Sequence, residues 1–489
     1  MSALVRRSLV LVALCALFAF VSSASAKTFV VTKKSDPNPG QCKSKDCSLR
    51  EAVIAANDHN GKDTVSLPSK SGAYKLTREP PAESNENESK NGDLDLTGKT
   101  TVKHSGKGRA TVDANGIDRA FDVQPGARSS FKKLVITGGK AVGPDPSMPR
   151  PAGARGPGSS MFPAEGGGIR NAATISVSSS VISKNRSLSF GGGIGVVGGA
   201  GLKLSGSTVT KNTAPGRDGG GIDADTGKVT IKRSKLTNNK SGGSGGAMYF
   251  NSQQTSTIED STISGNKASS LGGGLYLTNG QTFTALKVDG TTISGNRASS
   301  NGGGIFVSSN ALSMTDSTVA NNRAAGGGGG ISVSASMRAR AHRGGGEASA
   351  RLNAVTVVGN KSGSASPVLQ LLGGGLQNLG APSAFVVANS LIALNFSGTA
   401  RNDCAGQFAS AGHNLRGVEP ACNGFDGPGD LVKPNPKIGS LKSNGGPTKT
   451  IALQSGSPAI GKASKQSAPK RDQRGHKRDS KPDIGAFER

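Results

Sequence analysis

The sequence predicts an all-β fold, a right-handed parallel β-helix, with a helical N-terminal cap and a disulfide-bearing C-terminal cap. Three observations predict it. A short phrase recurs along the middle of the chain, apolar residues alternate with period two inside that phrase, and atypical cysteine-bearing segments flank the repeats.

The phrase is an aliphatic residue, two intervening positions, an Asn and a polar spacer, followed usually by a Gly cluster and an alternating apolar run. Its anchors are Asn185, Asn212, Asn239, Asn266, Asn296, Asn322, Asn360 and Asn395, the first three intervals being 27 residues. Three positions before each anchor stands an aliphatic residue, from Ile182 and Val209 through to Val357 and Ile392. Five positions before it stands Ser or Thr, with Val355 the exception. This spacing is the alternation of a strand, not the turn of a helix. After the Gly clusters a second alternation follows, as in Ile194 and Val196, Met248 and Phe250, Leu275 and Leu277, Ile305 and Val307, and Ile331 and Val333.

A unit of two or three such strands cannot bury its own apolar face, so the units must stack, one coil per repeat, around a shared core. Stacking places equivalent residues about 4.8 Å apart. The asparagines are therefore expected to form a ladder at a turn whose left-handed backbone they tolerate, and the Gly clusters to make tight bends. A β-propeller blade needs four strands and about 40 to 50 residues. A β-sandwich would not repeat one phrase eight times.

The expected organisation is a signal peptide over 1–26, an N-terminal cap with the first coils over 27–125, the repeats over 126–400 and a C-terminal cap over 401–489. Arg6 and Arg7, the apolar run from Leu9 to Val21, and Ala24-Ser25-Ala26 read as an export signal cleaved after Ala26. No later segment approaches the roughly 20 apolar residues of a spanning helix. The mature chain is thus expected outside the cytoplasm, secreted or at the cell surface. Two insertions break the period, Pro144 to Glu165 and Ser336 to Ala350. They are long loops that carry binding or decorate the scaffold.

Cys15 lies in the signal, which leaves Cys42, Cys47, Cys404 and Cys422 for an oxidising compartment. Four cysteines allow three pairings. The favoured one joins Cys42 to Cys47 and Cys404 to Cys422, because each pair is local and lies outside the repeats. The formal charge is +27, or +25 without Arg6 and Arg7, which favours acidic partners such as acidic glycans or envelope material. With no Trp and three Tyr, the stacking platforms of a dedicated nucleic-acid binder are scarce.

Coil-by-coil alignment of the second strand puts Gly195, Asp223, Tyr249, Tyr276, Phe306 and Ser332 in one outward row, and Asp225, Asn251, Thr278, Ser308 and Ser334 in the next. The expected ligand contacts are Tyr249, Tyr276, Phe306 and Asn251, with sugar rings stacking on the tyrosines. The alternative is that the rings only pack across strands. Asp223 and Asp225, two apart on one strand and so about 6.6 Å apart at Cα, are the only catalytic candidates, at a separation compatible with an inverting glycosidase. The leading reading is a noncatalytic glycan-binding or adhesin-like surface protein, and the alternative a polysaccharide lyase or glycoside hydrolase. No cofactor is predicted, and His59, His104, His342, His413 and His476 share no metal-ligand spacing. Asp260, Asp289 and Asp316, near one turn of consecutive coils, are either turn residues or a place for a cation such as calcium.

Both caps carry recognisable phrases. Ser48 to Glu51 forms a capping box that starts a helix with Leu49, Val53 and Ala56 on one face. Cys47 to Ala52 reads CSLREA and resembles the N-terminal signature of the bacterial exported β-helix proteins named after it. Gly92 to Leu96 and Gly116 to Val123 are similar to that group's first coils. The closing segment resembles the choice-of-anchor Q domain in Asp403-Cys404, Asn444 to Thr448, Ser457 to Ile460, Asp472 to Gly475 and Asp483 to Glu488. The Asn-to-glycine phrase is similar to the repeats of polymorphic outer-membrane proteins. The resemblance implies a β-helix at the cell surface and brings no catalytic site. At Gly461 the chain departs from the C-terminal pattern, which has an acidic residue there.

Overall fold

The computed structural model describes residues 25–68, 71–80, 88–141, 164–278, 285–334, 349–363, 372–417 and 422–489. The expected signal peptide falls almost wholly outside these residues, as do most of both insertions and His342. The chain winds into a right-handed parallel β-helix. One coil illustrates the path: Met248–Ser252, Ser256–Glu259, Thr262–Ser264 and Lys267–Ala268, after which Leu275–Leu277 pairs in parallel with Met248–Phe250. From Phe121 to Ser397 each coil thus has four short strands, where the sequence pattern pointed to two or three, and the coils before and after have fewer. The fourth, two residues long, shows no alternation to read.

Stacking these strands makes four sheets along the solenoid, of 12, 13, 13 and 10 strands among the described residues, the last beginning only at Lys140. They are called here, in chain order, the aromatic, long, third and narrow faces. On the narrow face the pattern is the anchor Asn, an outward residue that is usually Lys or Arg, and a buried Ala or Ser. The residues expected to point inward, such as Ile194, Val196, Met248 and Phe250, are fully buried in one continuous core.

The ladder of asparagines forms, and its bonding is one-directional. Oδ1 of Asn266 accepts from the backbone N–H of Asn239 at 2.9 Å and from its Nδ2 at 3.0 Å. Nδ2 of Asn266 in turn donates to Oδ1 of Asn296 at 2.8 Å and to the carbonyl of Leu236 at 2.9 Å. The same arrangement links Asn185 through Asn395. The left-handed residue, however, is the one before the anchor: Lys184, Lys211, Asn238, Gly265 and Asn321 have φ of 56–68°. The corner frees the anchor side chain to point into the ladder, so the anchor itself need not adopt that conformation.

Both polar ladders end on an aspartate. Asp403 Oδ1 receives the last anchor, Asn395, from its backbone N–H at 2.8 Å and Nδ2 at 2.9 Å. The hydroxyl row bonds from one coil to the next in the same way, Ser207 N–H to Ser234 Oγ at 3.2 Å, breaks at Val355, whose side chain offers no acceptor to Ser317, and resumes from the Val355 N–H through Ser390 and Asn414 to Asp430. A terminal rung must accept without needing a further acceptor beyond it, and a carboxylate does this.

At the N-terminal end the helix Leu49–Asp58 covers the first coil, with Leu49, Val53 and Ala56 buried and both arms of the capping box made between Ser48 and Glu51. Arg50 is wholly buried. It pairs with Asp36 at 2.8 and 3.0 Å and donates to the carbonyls of Ser89, Gly92 and Asp93. Such a guanidinium is tolerable only because its donors are met. Both expected disulfides form, Cys42 to Cys47 and Cys404 to Cys422.

The C-terminal end differs from a simple cap. From Pro436 onward the chain folds back along the third face. Gln473 Nε2 donates to Thr292 Oγ1 at 2.9 Å, Thr318 Oγ1 donates to Gln473 Oε1 at 2.5 Å, and Ala486 N–H reaches Thr356 Oγ1 at 2.9 Å. Ile451, Leu453, Ile484 and Phe487 bury Ala320, Val358, Leu391 and Ala393, whose side chains point out of the solenoid. Gly461, with φ 66°, bonds Asp483 Oδ1 through its N–H. A left-handed turn thus occupies the position where the resemblance has an acid.

Candidate functional site

The outward row of the aromatic face is built by the strand that follows each Gly bend. Its first and third residues are core, so the middle one faces out. The register confirms the sequence alignment: Gly195 lies opposite Asp223, Asp223 opposite Tyr249, Tyr249 opposite Tyr276, Tyr276 opposite Phe306, and Phe306 opposite Ser332. The rings stack along the solenoid axis. Tyr249 and Tyr276 have centroids 5.2 Å apart at 27°, and Tyr276 and Phe306 5.7 Å apart at 5°. Tyr249 and Phe306 are buried and Tyr276 is half-buried. Both faces of Tyr276 are therefore occupied by neighbouring rings, as cross-strand packing requires, and a ligand beside the stack meets Tyr276 at its edge.

The second row is more accessible. Asp225 lies opposite Asn251, both half-buried, and Asn251 Nδ2 donates to Asp225 Oδ1 at 2.7 Å. Thr278 shares a hydrogen bond with Ser309 at 3.2 Å. Asp223 and Asp225 leave the same face of the strand Ile222–Thr226, Asp223 in a buried position and Asp225 held by Asn251.

Sequence reasoning missed the charged continuation of this row. Beyond Gly195 come Arg170, Asp122 and Asp95, in register. Arg170 Nη1 bonds both oxygens of Asp122, at 3.1 and 3.3 Å, and Arg119 Nη1 bonds Asp122 Oδ2 at 3.0 Å while its Nε lies 3.3 Å from Asp93. Burial pushes the carboxyls of Asp93 and Asp118 up, Arg119 opposing the rise. Burial likewise opposes the charge of Arg119, but the carboxylates around it more than compensate. The signal was present in the phrases Gly92 to Leu96 and Gly116 to Val123. Their acidic residues surround a guanidinium and close the first coils.

The proposed turn row of acids is corrected by the register. Asp289 lies opposite Glu259, whereas the left-handed corner holds Asp260, Gly290 and Asp316. Asp316 is bonded by Arg478 Nη2 at 2.8 Å. The three carboxylates therefore do not converge. Among the described residues no group of three or more His, Cys, Asp or Glu is placed to hold a metal ion. His59 pairs with Asp63 at 3.0 Å, His104 Nδ1 lies 2.7 Å from the carbonyl of Leu67, and His413 Nδ1 lies 2.8 Å from that of Lys462. Among the described residues no helix is long and apolar enough to cross a membrane.

Stacked parallel sheets, with one strand of each of the four in every coil from Phe121 to Ser397, define the class as a right-handed parallel β-helix. Residues 169–390 match the family model described as a right handed beta helix region. No curated protein matches the chain. Among solved structures the chain is similar to the pectate lyase Pel9A, at 13% identity, covering 96% of this chain and 97% of that one with a TM-score of 0.45. It is also similar to a mannuronic acid specific polysaccharide family 6 lyase from human gut microbiota, at 10% identity, covering 82% and 88% with a TM-score of 0.33.

Proposed function

We propose that this is an exported surface or matrix protein that holds a linear glycan along the aromatic face without cleaving it. The observation that carries the reading is the polar row from Asp225 and Asn251 to Thr278, which runs parallel to the solenoid axis beside a wall of stacked rings. One polar position per coil suits a polymer that repeats one hydroxylated unit at a time. The rings stiffen that wall, and Tyr276, half-buried, offers its edge to the sugar. Export is supported by the N-terminal signal pattern and by the two disulfides, which belong to an oxidising compartment. A second reading, a lyase or hydrolase, draws on Asp223 and Asp225 sharing one strand face.

Two measurements separate these readings. Purified protein is incubated with uronate and neutral glycans, and unsaturated products and new reducing ends are followed; turnover of any of them favours the enzyme. Affinity electrophoresis of the Tyr249→Ala, Tyr276→Ala double variant is expected to show weaker retention by the polysaccharide that retards the parent. Equal retention removes the aromatic face from the binding surface.

A further inference from the structure

We infer that the narrow face is a second binding surface, a linear cation track that takes a carboxylated polysaccharide. Lys240, Lys267, Arg297 and Arg323 lie opposite one another on four consecutive coils, and Lys361 continues the row. Lys140 and Arg186 begin it, separated from the run by Thr213 alone. Adjacent strands set these charges about 4.8 Å apart. Six of the seven are exposed and Lys361 is half-buried. None of them forms an ion pair among the described residues.

Like charges directly opposite on neighbouring strands oppose sheet formation. Lys140 lies on the terminal strand of the ten-stranded sheet, but Lys240, Lys267, Arg297 and Arg323 lie in its interior, so these four do not serve to blunt a sheet edge. Between Asn239 and Ala324 each cation is flanked only by its buried Asn and by a buried Ser or Ala, so no carboxylate within the strand offsets the repulsion. A polyanion laid along the axis relieves it on every coil at once. The spacing favours a chain with one carboxylate per sugar, each sugar being comparable in length with one coil step. Ser269 and Ser299, exposed two residues beyond Lys267 and Arg297, add hydroxyl partners for such a chain. No aromatic ring interleaves the cations, as base stacking on single-stranded nucleic acid requires; Phe396 enters the row only beyond Lys361.

The inference rests on the preceding reading only in that the ligand is a glycan; the face is a different one. The test is fluorescence anisotropy of a labelled polygalacturonate fragment with the full chain, titrated with salt. The variant carrying Lys240→Gln, Lys267→Gln, Arg297→Gln and Arg323→Gln is expected to bind at least tenfold more weakly. Its slope of log affinity against log salt should be shallower by about three, at the 0.7 to 0.9 per neutralised charge known for nucleic acids. A control variant with the same charge loss on the long face, Lys99→Gln, Lys132→Gln, Lys203→Gln and Lys287→Gln, should stay within twofold of the parent. All eight side chains are exposed, and circular dichroism checks that both variants remain folded. The inference is overturned if the parent does not bind, if both variants lose affinity equally, or if an oligothymidylate of equal charge binds the parent as tightly. A Tyr276→Ala variant measured alongside separates the two faces. Loss there with an unchanged response to the four Gln substitutions supports the aromatic face and removes the track, and the converse removes the aromatic face alone.

Discussion

Replacing Asn266 by Ala tests whether the ladder is part of the stability of the solenoid. The side chain is fully buried and makes five bonds to four residues, Nδ2 sharing its two hydrogens among Asn296 Oδ1 and the carbonyls of Leu236 and Ser264. Truncation deprives the buried N–H of Asn239 of the acceptor at 2.9 Å and also removes one partner each from Asn239 Nδ2, the Leu236 and Ser264 carbonyls and Asn296 Oδ1. An orphaned buried donor costs about 1 to 3 kcal/mol, and each further lost bond about 1 kcal/mol. With the two Nδ2 hydrogens shared among three acceptors, the expected loss is about 5 kcal/mol, a large share of the roughly 5 to 15 kcal/mol by which folded domains are stable. Urea denaturation followed by circular dichroism reads the midpoint, with Lys267→Ala, the exposed neighbouring residue, as a reference expected to change by less than about 0.5 kcal/mol. A change below about 1 kcal/mol for Asn266→Ala would refute the ladder argument, since it would mean that water or backbone movement satisfies the freed groups.

Two other perturbations follow from the docked C-terminal segment and the ladder end. Burial pushes Asp316 up to about 7, with Arg478 only partly offsetting it, and Asp403 up to about 6 against the bonds from Asn395 and Gly417. In the unfolded chain both titrate near 4, so at intermediate pH the folded chain holds protons that the unfolded chain has shed. Their contribution is full below about pH 4 and falls away as pH rises towards 7, on the order of a few kcal/mol. Asp316→Asn is expected to flatten the melting temperature between about pH 4 and 7, and an unchanged pH profile would rule Asp316 out as its source. Arg478→Ala leaves the buried carboxylates of Asp316 and Glu488 without their guanidinium, at about 3 to 5 kcal/mol. Limited proteolysis should then release the segment after Pro436 while the β-sheet circular dichroism persists, and an equally protected segment would contradict the docking account.

The resemblance at the N-terminal cap acquires a physical meaning residue by residue. In Cys47 to Glu51 the Cys closes a disulfide, Ser48 and Glu51 cap the helix, Leu49 enters the core and Arg50 ties the lid to Asp36 and the first coils. The phrase Gly92-Asp93 supplies carbonyls to the same guanidinium. Two segments separated by about forty positions are thus parts of one clamp.

What the sequence by itself determined is whatever depends on local alternation and on like lying over like. The repeat, the inward residues, the anchor and hydroxyl ladders, and the aromatic row are all consequences of strand pleat and of one coil per phrase, and a single register propagates them along the axis. Tertiary structure decided the rest. The fourth strand of each coil is too short to alternate, so its cations read only as polar spacers until parallel pairing set them in a row. Ring orientation depends on the neighbours, and stacking turned the tyrosines towards one another. The C-terminal segment binds the side of the solenoid through Gln473, Arg478 and Phe487, contacts across up to 181 positions that no local pattern encodes. Local periodicity constrains the pleat of a strand, whereas which surfaces meet at long range depends on the complementarity of faces that exist only once the coils have stacked.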